Sequence, residues 1–283
     1  MRIAPALFVL LWSSAFVGAK FGLPYAEPLT FMCLRFSFVA LAFLILCVVF
    51  KAAWPSNWVE AGHIGFVGLL VQALYLSSTF LALDRGASVG LVALVLGLQP
   101  VLTVLIVSVL PSGRVTLMQW LGVILGFGGL ILVLWHKLDL GEIDGIALAM
   151  VSFGVCFITV GTLYQRRYCS GMDMFSGNVI QATVAALVTG IGAWLLEDRV
   201  VDWDPRFVGA LAWMVIVVSL GAHSLLLLML RQSQATKVVS LFYLTPPTAA
   251  VMAFFMFDER LTLLALAGMA ITAIGVALVV REN

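Results

Sequence analysis

Ten long apolar runs constrain the fold of this chain more than any other feature of its sequence. A helix that crosses a membrane needs about 17–25 mostly apolar residues, whereas a membrane β-strand needs only about 9–11 residues of alternating polarity. The runs are continuous and the connections are short, so they predict an all-α membrane bundle with no soluble domain attached. The predicted spans are 3–20, 29–50, 64–83, 88–110, 118–135, 146–164, 175–196, 207–230, 236–257 and 262–280.

Composition agrees with a bundle that lies in a lipid bilayer. Hydrophobic residues make up 63% of the chain and charged residues 10%, against about half and a quarter in an average soluble domain. These values exclude a soluble enzyme, a disordered chain and a nucleic-acid-binding protein. No cysteine pair or metal-ligand spacing occurs, so we predict core thiols and no metal or other cofactor. The cysteines are Cys33, Cys47, Cys156 and Cys169.

An internal repeat divides the chain in two. Residues 85–137 align without a gap on residues 231–283 when the sequence is shifted by 146 positions. Coincident Pro, Gly and Arg positions are harder to obtain by chance than apolar matches in such a chain. The matched pairs are Arg85 and Arg231, Pro100 and Pro246, Arg114 and Arg260, Thr116 and Thr262, Gly122 and Gly268, and Gly129 and Gly275.

This repeat predicts two five-helix domains, 1–137 and 138–283. Because five is odd, the second domain enters the membrane from the opposite side, which makes the two copies inverted repeats around a central cavity. Inverted repeats are typical of secondary transporters that bind their substrate at the midplane. With the N-terminus inside, eight basic residues fall on inner connections and six on outer ones. This bias predicts that both termini are cytoplasmic. The predicted location is a bacterial-type inner membrane, which the chain crosses several times.

Five short motifs carry a family resemblance. In their order and spacing they resemble the drug/metabolite transporter superfamily, and more closely its ten-span EamA-type exporters, which include amino-acid exporters. The resemblance covers nearly the whole chain. One departure is Pro111-Ser112-Gly113-Arg114, where many relatives have an acidic pair. The motifs are Leu11-Trp12-Ser13-Ser14, Pro28-Leu29 followed by Leu34-Arg35-Phe36, Leu98-Gln99-Pro100, Leu244-Thr245-Pro246 and Glu259-Arg260-Leu261-Thr262.

The resemblance implies that spans 1, 3, 4, 6, 8 and 9 line a central cavity while spans 5 and 10 form a scaffold or a dimer-like edge. Gln72, Tyr75 and Thr79 recur on one face of the third span, where interhelical hydrogen bonds are an equally good interpretation. His223 is the one histidine deep in a span, and intramembrane ionisable residues are functional candidates by default. The alternative interpretation is that His223 is a neutral imidazole, hydrogen-bonded to a neighbouring serine. The candidate substrate-binding residues are Trp12, Phe16, Gln72, Tyr75, Thr79, Gln99, Cys156, His223, Tyr243 and Thr245.

Prolines and one arginine also lie within the spans. Pro100, Pro246 and Pro247 are predicted helix breaks, because proline lacks the N–H donor and clashes with the preceding turn. Breaks at membrane depth are tolerated where they face protein or a cavity, although a plain structural kink is the alternative. Arg35 lies about 10 Å into the second span at 1.5 Å per residue. We expect it to reach the outer headgroups or backbone carbonyls, with a substrate carboxylate as the alternative.

No Asp or Glu lies in the middle of any predicted span. Exporters of cationic drugs usually need such a carboxylate, so the hypothesis is an uncharged or zwitterionic substrate that moves by facilitated transport. We predict a secondary transporter that exports amino acids or related small metabolites by alternating access. A multidrug or nucleotide-sugar carrier is the alternative. An intramembrane enzyme is remote, because paired aspartates and metal motifs are absent. The predicted partners are a small-molecule substrate and the lipid bilayer, with no nucleic acid and no obligate protein partner.

Overall fold

Ten helical stretches, α1 to α10, account for most of the described chain. The computed structural model describes residues 3–87, 89–110, 115–135, 144–257 and 262–281. Six helices (α2, α3, α6, α7, α8 and α10) are long and apolar enough to cross a membrane, and shorter apolar helices lie in α1, α4 and α5. The stretches are α1 Ala4–Gly22, α2 Pro28–Phe50, α3 Trp58–Asp84, α4 Val89–Leu96 and Gln99–Val109, α5 Leu117–Leu134, α6 Gly145–Tyr168, α7 Met174–Leu196, α8 Pro205–Gln232, α9 Ala235–Ser240, Leu241–Leu244 and Thr245–Phe257, and α10 Leu263–Arg281.

This architecture confirms the all-α membrane fold, and most helices begin and end within a few residues of the predicted spans. The clearest difference is α3, which begins at Trp58 rather than near residue 64. Asn57 caps the helix, because its side-chain oxygen accepts a hydrogen bond from the Glu60 N–H at 2.9 Å. The Glu60 carboxylate in turn accepts from the Ser56 N–H at 2.9 Å. Capping of this kind starts a helix in polar sequence that a hydropathy count leaves out.

Two helices contain a π-helical stretch at equivalent positions. The stretch spans Gly68–Leu74 in α3 and Met214–His223 in α8. Their first residues are 146 positions apart, which is the shift that aligns the two halves of the sequence. π-helical turns are rare and occur frequently at functional sites. Both stretches carry residues that the functional site uses.

Helices α5 and α10 approach each other through glycines. A Cβ atom built at Gly122 would lie 2.6 Å from the Gly275 carbonyl oxygen, and one built at Gly268 would lie 2.6 Å from the Gly129 carbonyl oxygen. Since Gly122 matches Gly268 and Gly129 matches Gly275 in the repeat, the same contact is made twice. Small residues permit this close packing of membrane helices. The pair therefore has the character of the scaffold that the resemblance implied.

The other helix pairs follow the same symmetry. Helix α1 packs on α8 and α3 packs on α6, while α2 packs on α7 and α5 packs on α10. Exchanging each helix of the first half with its counterpart in the second leaves this set of pairs unchanged. Such pairing is what two halves related by a two-fold axis would produce. The boundary between residues 137 and 138 stays a prediction.

A clasp joins the loops at one end of the bundle, where α2 begins and α7 ends. We define it as residues 25–30 together with residues 197–202. The Glu197 carboxylate accepts hydrogen bonds from the Leu29 and Thr30 N–H groups, both at 2.7 Å. The Asp202 N–H donates to the Tyr25 carbonyl at 2.8 Å. A carboxylate at a helix N-terminus satisfies free N–H groups and the helix dipole, so the clasp holds the start of α2 against the end of α7.

Candidate functional site

A small polar cavity lies among the helices, in the half of the bundle nearer the clasp. Its volume is about 70 Å³. The walls come mainly from α1, α2, α3 and α8, with one residue each from α4 and α7. Its polar and Trp or Tyr lining residues are Trp12, Arg35, Gln72, Tyr75, Thr79, Asn178, Ser219 and His223.

Five of the predicted binding residues line this cavity, namely Trp12, Gln72, Tyr75, Thr79 and His223. The structure does not bring the others to it. Cys156 is exposed on α6, whereas Gln99, Tyr243 and Thr245 are buried outside the cavity wall. The side chain of Phe16 lies outside the described residues.

The lining helices differ from those that the resemblance implied. Spans 6 and 9 supply no lining residue among the described side chains, while α2 and α7 supply Arg35 and Asn178. Sequence reasoning singled out Arg35 but assigned it a structural role, and it missed Asn178 and Gln181. The available signal was polar side chains deep in spans 2 and 7, which the resemblance had placed outside the cavity wall.

A chain of neutral side chains crosses the core beside the cavity. The Gln72 side-chain nitrogen donates to the Gln181 side-chain oxygen at 3.1 Å and lies 3.1 Å from His223 Nε2. The Gln181 side-chain nitrogen donates to the Gln165 side-chain oxygen at 2.8 Å. An amide nitrogen carries two hydrogens, so Gln72 serves both partners if His223 Nε2 is the acceptor. This assignment places the imidazole proton on Nδ1 and leaves the ring neutral. The partners of His223 are therefore glutamines rather than the neighbouring serines expected from the sequence.

Arg35 is the charged group of the cavity. It is 5% exposed, and its Nε and Nη2 atoms donate to the Ser219 hydroxyl at 3.1 and 3.0 Å. Its Nη1 atom lies 4.0 Å from the Met32 sulfur, and its guanidinium carbon lies 5.3 Å from the centre of the Phe36 ring. The expectation that this side chain reaches headgroups or backbone carbonyls is therefore wrong. Among the described residues the one salt bridge joins Arg85 to Asp144, and no carboxylate pairs with Arg35.

The predicted proline breaks are new helix starts rather than kinks within a helix. The first part of α4 ends at Leu96, and Pro100 lies in the first turn of the part that begins at Gln99. In α9, Pro246 and Pro247 lie in the first turn of Thr245–Phe257. A first-turn proline costs no helical hydrogen bond, because that N–H would have no partner in any case.

Buried polar atoms without partners surround these breaks. They are the Gln99 side-chain nitrogen, the Tyr243 hydroxyl and the Thr245 hydroxyl. The Thr245 carbonyl does have a partner, since it accepts from the Ser13 hydroxyl at 3.1 Å. Buried polar groups are normally satisfied by protein or by water. These three atoms are thus available for a solvent molecule, a substrate or a partner in a second conformation.

A second, larger opening lies at the end of the bundle opposite the clasp. It encloses about 790 Å³ between the ends of α4 and α6 and the start of α9. Its charged and amide lining residues are Arg166 and Arg167 from α6 and Gln234 before α9. The end with the clasp is tied by hydrogen bonds, whereas this end presents a wide cleft.

Ten helices with two broken spans, around a buried polar cavity, define a polytopic membrane transporter. The match to known proteins gives the family. The chain belongs to the EamA-like transporter family, whose model matches residues 3–135 and again residues 145–281.

Relatives of known sequence or structure agree with this assignment. An "Uncharacterized transporter" of Archaeoglobus fulgidus is 24% identical over 99% of both chains. The "Uncharacterized transporter YyaM" of Bacillus subtilis is 25% identical over 87% of this chain and 84% of its own. A chain of known crystal structure, 16% identical, covers 100% of this chain and 98% of its own length with a TM-score of 0.82. That last likeness shows the shared fold, and the relatives' names specify transport without a substrate.

Proposed function

We propose that this protein exports amino acids or related small metabolites across an inner membrane by alternating access, with both termini in the cytoplasm. The observation that carries the proposal is the cavity that contains Gln72, Tyr75 and His223. It is enclosed by membrane helices, it combines aromatic and polar walls, and no acidic residue lines it among the described residues. This lining suits a small polar solute better than a cationic drug.

The size of the cavity supports a small solute. A cavity needs about 10–15 Å³ to admit one water molecule, so a cavity of about 70 Å³ has room for a few waters or a small solute. Pockets for drug-sized ligands measure about 300–1,000 Å³. In the observed conformation the cavity therefore favours a small metabolite over a multidrug or nucleotide-sugar substrate.

Features of the helices support alternating access. The π-helical stretches of α3 and α8 and the breaks in α4 and α9 interrupt the regular hydrogen-bond ladder at four places around the core. Broken helices are common around the binding sites of secondary transporters. The unpartnered Gln99, Tyr243 and Thr245 atoms would then gain partners in another conformation.

Efflux from proteoliposomes tests this function. Vesicles preloaded with a mixture of amino acids and other metabolites are diluted, and the released solutes are quantified with and without a pH gradient. We expect release of small amino acids without a gradient, beyond the leak from protein-free vesicles. Efflux of cationic dyes alone, driven by a gradient, would identify a drug antiporter instead. Amino-acid efflux that stops when the gradient is collapsed would refute facilitated transport and make His223 the first candidate for proton coupling.

A further inference from the structure

We propose that Arg35 binds the carboxylate of the transported solute, so that the substrates are small carboxylates, including amino acids. This inference rests on the proposed transport function and specifies the chemistry of the same cavity. The sequence alone favoured a structural role for Arg35. The contacts of its guanidinium group in the structure favour a role in substrate binding instead.

The charge of Arg35 is buried and has no counter-ion. The side chain is 5% exposed, and the one salt bridge recorded for the described residues joins Arg85 to Asp144 elsewhere. Charged side chains at membrane depth pair with one another or with backbone carbonyls, because an isolated charge is strongly disfavoured there. Arg35 has only a serine hydroxyl, a distant sulfur and the face of the Phe36 ring. An anionic ligand would supply the missing partner.

One edge of the guanidinium group is free to bind such a ligand. A guanidinium carries five N–H donors. The Nε and Nη2 atoms donate one each to Ser219, which occupies that edge of the fork. Nη1 has only the Met32 sulfur at 4.0 Å, so the edge formed by Nη1 and Nη2 has no strong acceptor. Two parallel N–H donors at this edge match the two oxygens of a carboxylate.

The rest of the cavity selects a carboxylate over other anions. Arg35 is the one cationic side chain among the described lining residues, whereas a phosphate or diphosphate is usually held by several cations. Phe36, Tyr75 and Phe80 supply apolar walls for the remainder of a small organic molecule. The ammonium of an amino acid would find aromatic faces rather than an acid, and such faces attract cations.

Ser219 acts as a positioning residue in this arrangement. Its hydroxyl accepts from both Nε and Nη2, which fixes the rotation of the guanidinium plane. Because Ser219 belongs to the π-helical stretch of α8, this contact joins α2 to the irregular part of α8. Arg35 on α2 would thus hold the carboxylate, while Ser219 on α8 would fix the orientation of the guanidinium group.

The test compares carboxylates with their amides. Proteoliposomes are loaded with L-alanine, L-leucine, L-phenylalanine and propionate, or with the four matching primary amides, and initial efflux rates are measured. The variants are Arg35→Gln and Arg35→Lys, and the control is Arg85→Gln, which removes an arginine of the exposed ion pair. We expect the wild type to release at least one carboxylate tenfold faster than its amide. Arg35→Gln should abolish this preference, Arg35→Lys should keep a part of it, and Arg85→Gln should keep all of it.

Two results would overturn the inference: equal rates for acids and amides in the wild type, or an undiminished preference in Arg35→Gln. The wild-type comparison needs no variant, so it stands even if Arg35→Gln does not fold. If the folded wild type releases none of these probes, the transport proposal fails for them. Thermal shifts in detergent then decide the inference separately. Stabilisation of the wild type by the acids and not by the amides would support it, and the absence of any shift with the acids would refute it.

Discussion

Arg35 and Gln181 occupy equivalent positions in the two halves but bring different chemistry to the core. They are 146 residues apart, and each lies seven residues after the first residue of its helix, Pro28 or Met174. Arg35 donates to Ser219 on α8, while Gln181 accepts from Gln72 on α3. Each of the two positions therefore makes a polar contact with the π-helical stretch of the other half, one charged and one neutral, although the contacted residues, Ser219 and Gln72, are not equivalent in the repeat.

This difference shows what duplication preserves and what it does not. The backbone features recur in both halves: the π-helical stretches, the broken spans and the glycine contacts. The polar side chains do not recur, because the residue 146 positions before Ser219 is Ala73. A cavity whose one cationic side chain among the described lining residues comes from the first half would bind a small substrate in one orientation. The two halves thus share the same helix scaffold but contribute different side chains to the binding of the solute.

We expect the largest effect from a substitution at the glycine contact between α5 and α10, which both halves share. In Gly122→Leu, the new side chain would meet the Gly275 backbone at 2.6 Å from its Cβ. Overpacking usually costs about 1–3 kcal/mol, and a backbone neighbour cannot rotate away, so we expect loss of folded protein. Gly128→Leu is the control on the same helix, since a Cβ there meets nothing within 4 Å. Size-exclusion profiles and melting temperatures measure both. A Gly122→Leu protein as stable as Gly128→Leu would show that the glycine contact is not essential.

Exchanging the two core residues tests whether the halves are equivalent in function. In the double variant Arg35→Gln with Gln181→Arg, the charge moves to the second half, where Ala73 offers no hydroxyl to anchor it. We expect efflux to fall at least tenfold, because charge-assisted hydrogen bonds contribute about 1.5–3 kcal/mol. The measurement is the initial efflux rate per folded protein. Wild-type efflux from the exchanged protein would show that either half can hold the charge.

Breaking the hydrogen-bonded row of Gln72, Gln181 and His223 should slow efflux less than moving the charge of Arg35. Gln72→Met keeps the volume but removes the amide that contacts both His223 and Gln181, and leaves His223 Nε2 with only its 3.4 Å contact to the Gln181 side-chain oxygen. A lost hydrogen bond costs about 0.5–1.5 kcal/mol. We expect several-fold slower efflux from a protein that still folds. Thr189→Val is the control, because the buried Thr189 hydroxyl lies outside the cavity wall and bonds within its own helix to the Ala185 carbonyl at 2.7 Å. Full efflux by Gln72→Met would remove this row from the functional site.

The sequence predicted the fold more completely than it predicted the functional site. Length and hydropathy predicted ten helices, and the repeat matched Gly122 to Gly268 before any contact was known. Trp12, Gln72 and His223 were selected by polarity or aromatic character in the implied lining spans, and all three line the cavity. Gln181 was missed because a periodicity shows which residues share a helix face but not which helix that face meets. The acceptor of Arg35 was mistaken for the same reason, since Ser219 is 184 residues away in the chain.

Removing the anchor of Arg35 should have a smaller effect than removing its charge. Ser219→Ala deletes the acceptor of two N–H groups and leaves the guanidinium free to turn. We expect KM for a carboxylate to rise about 5- to 10-fold with kcat nearly unchanged, which corresponds to about 1–1.4 kcal/mol. Ser37→Ala, at an exposed position on α2, is the control. A fall in kcat at constant KM would assign Ser219 to the conformational change rather than to binding.

We expect the smallest effect from a substitution next to a second pair of equivalent residues, Arg85 and Arg231. Arg85 donates to Asp144 at 2.9 Å and holds the pKa of that carboxyl below its ordinary value, whereas buried N–H groups of Arg231 have no partner. A lowered pKa in the folded state stabilises the protein above the unfolded pKa of about 3.9, and this stabilisation is lost as the pH falls through the folded pKa. Asp144→Asn should therefore lower the melting temperature slightly at pH 7, and the difference from the wild type should shrink below about pH 4. Asp198→Asn, at an exposed position after α7, is the control. A difference that stays constant down to the lowest accessible pH would show that the ionisation of Asp144 does not account for the effect.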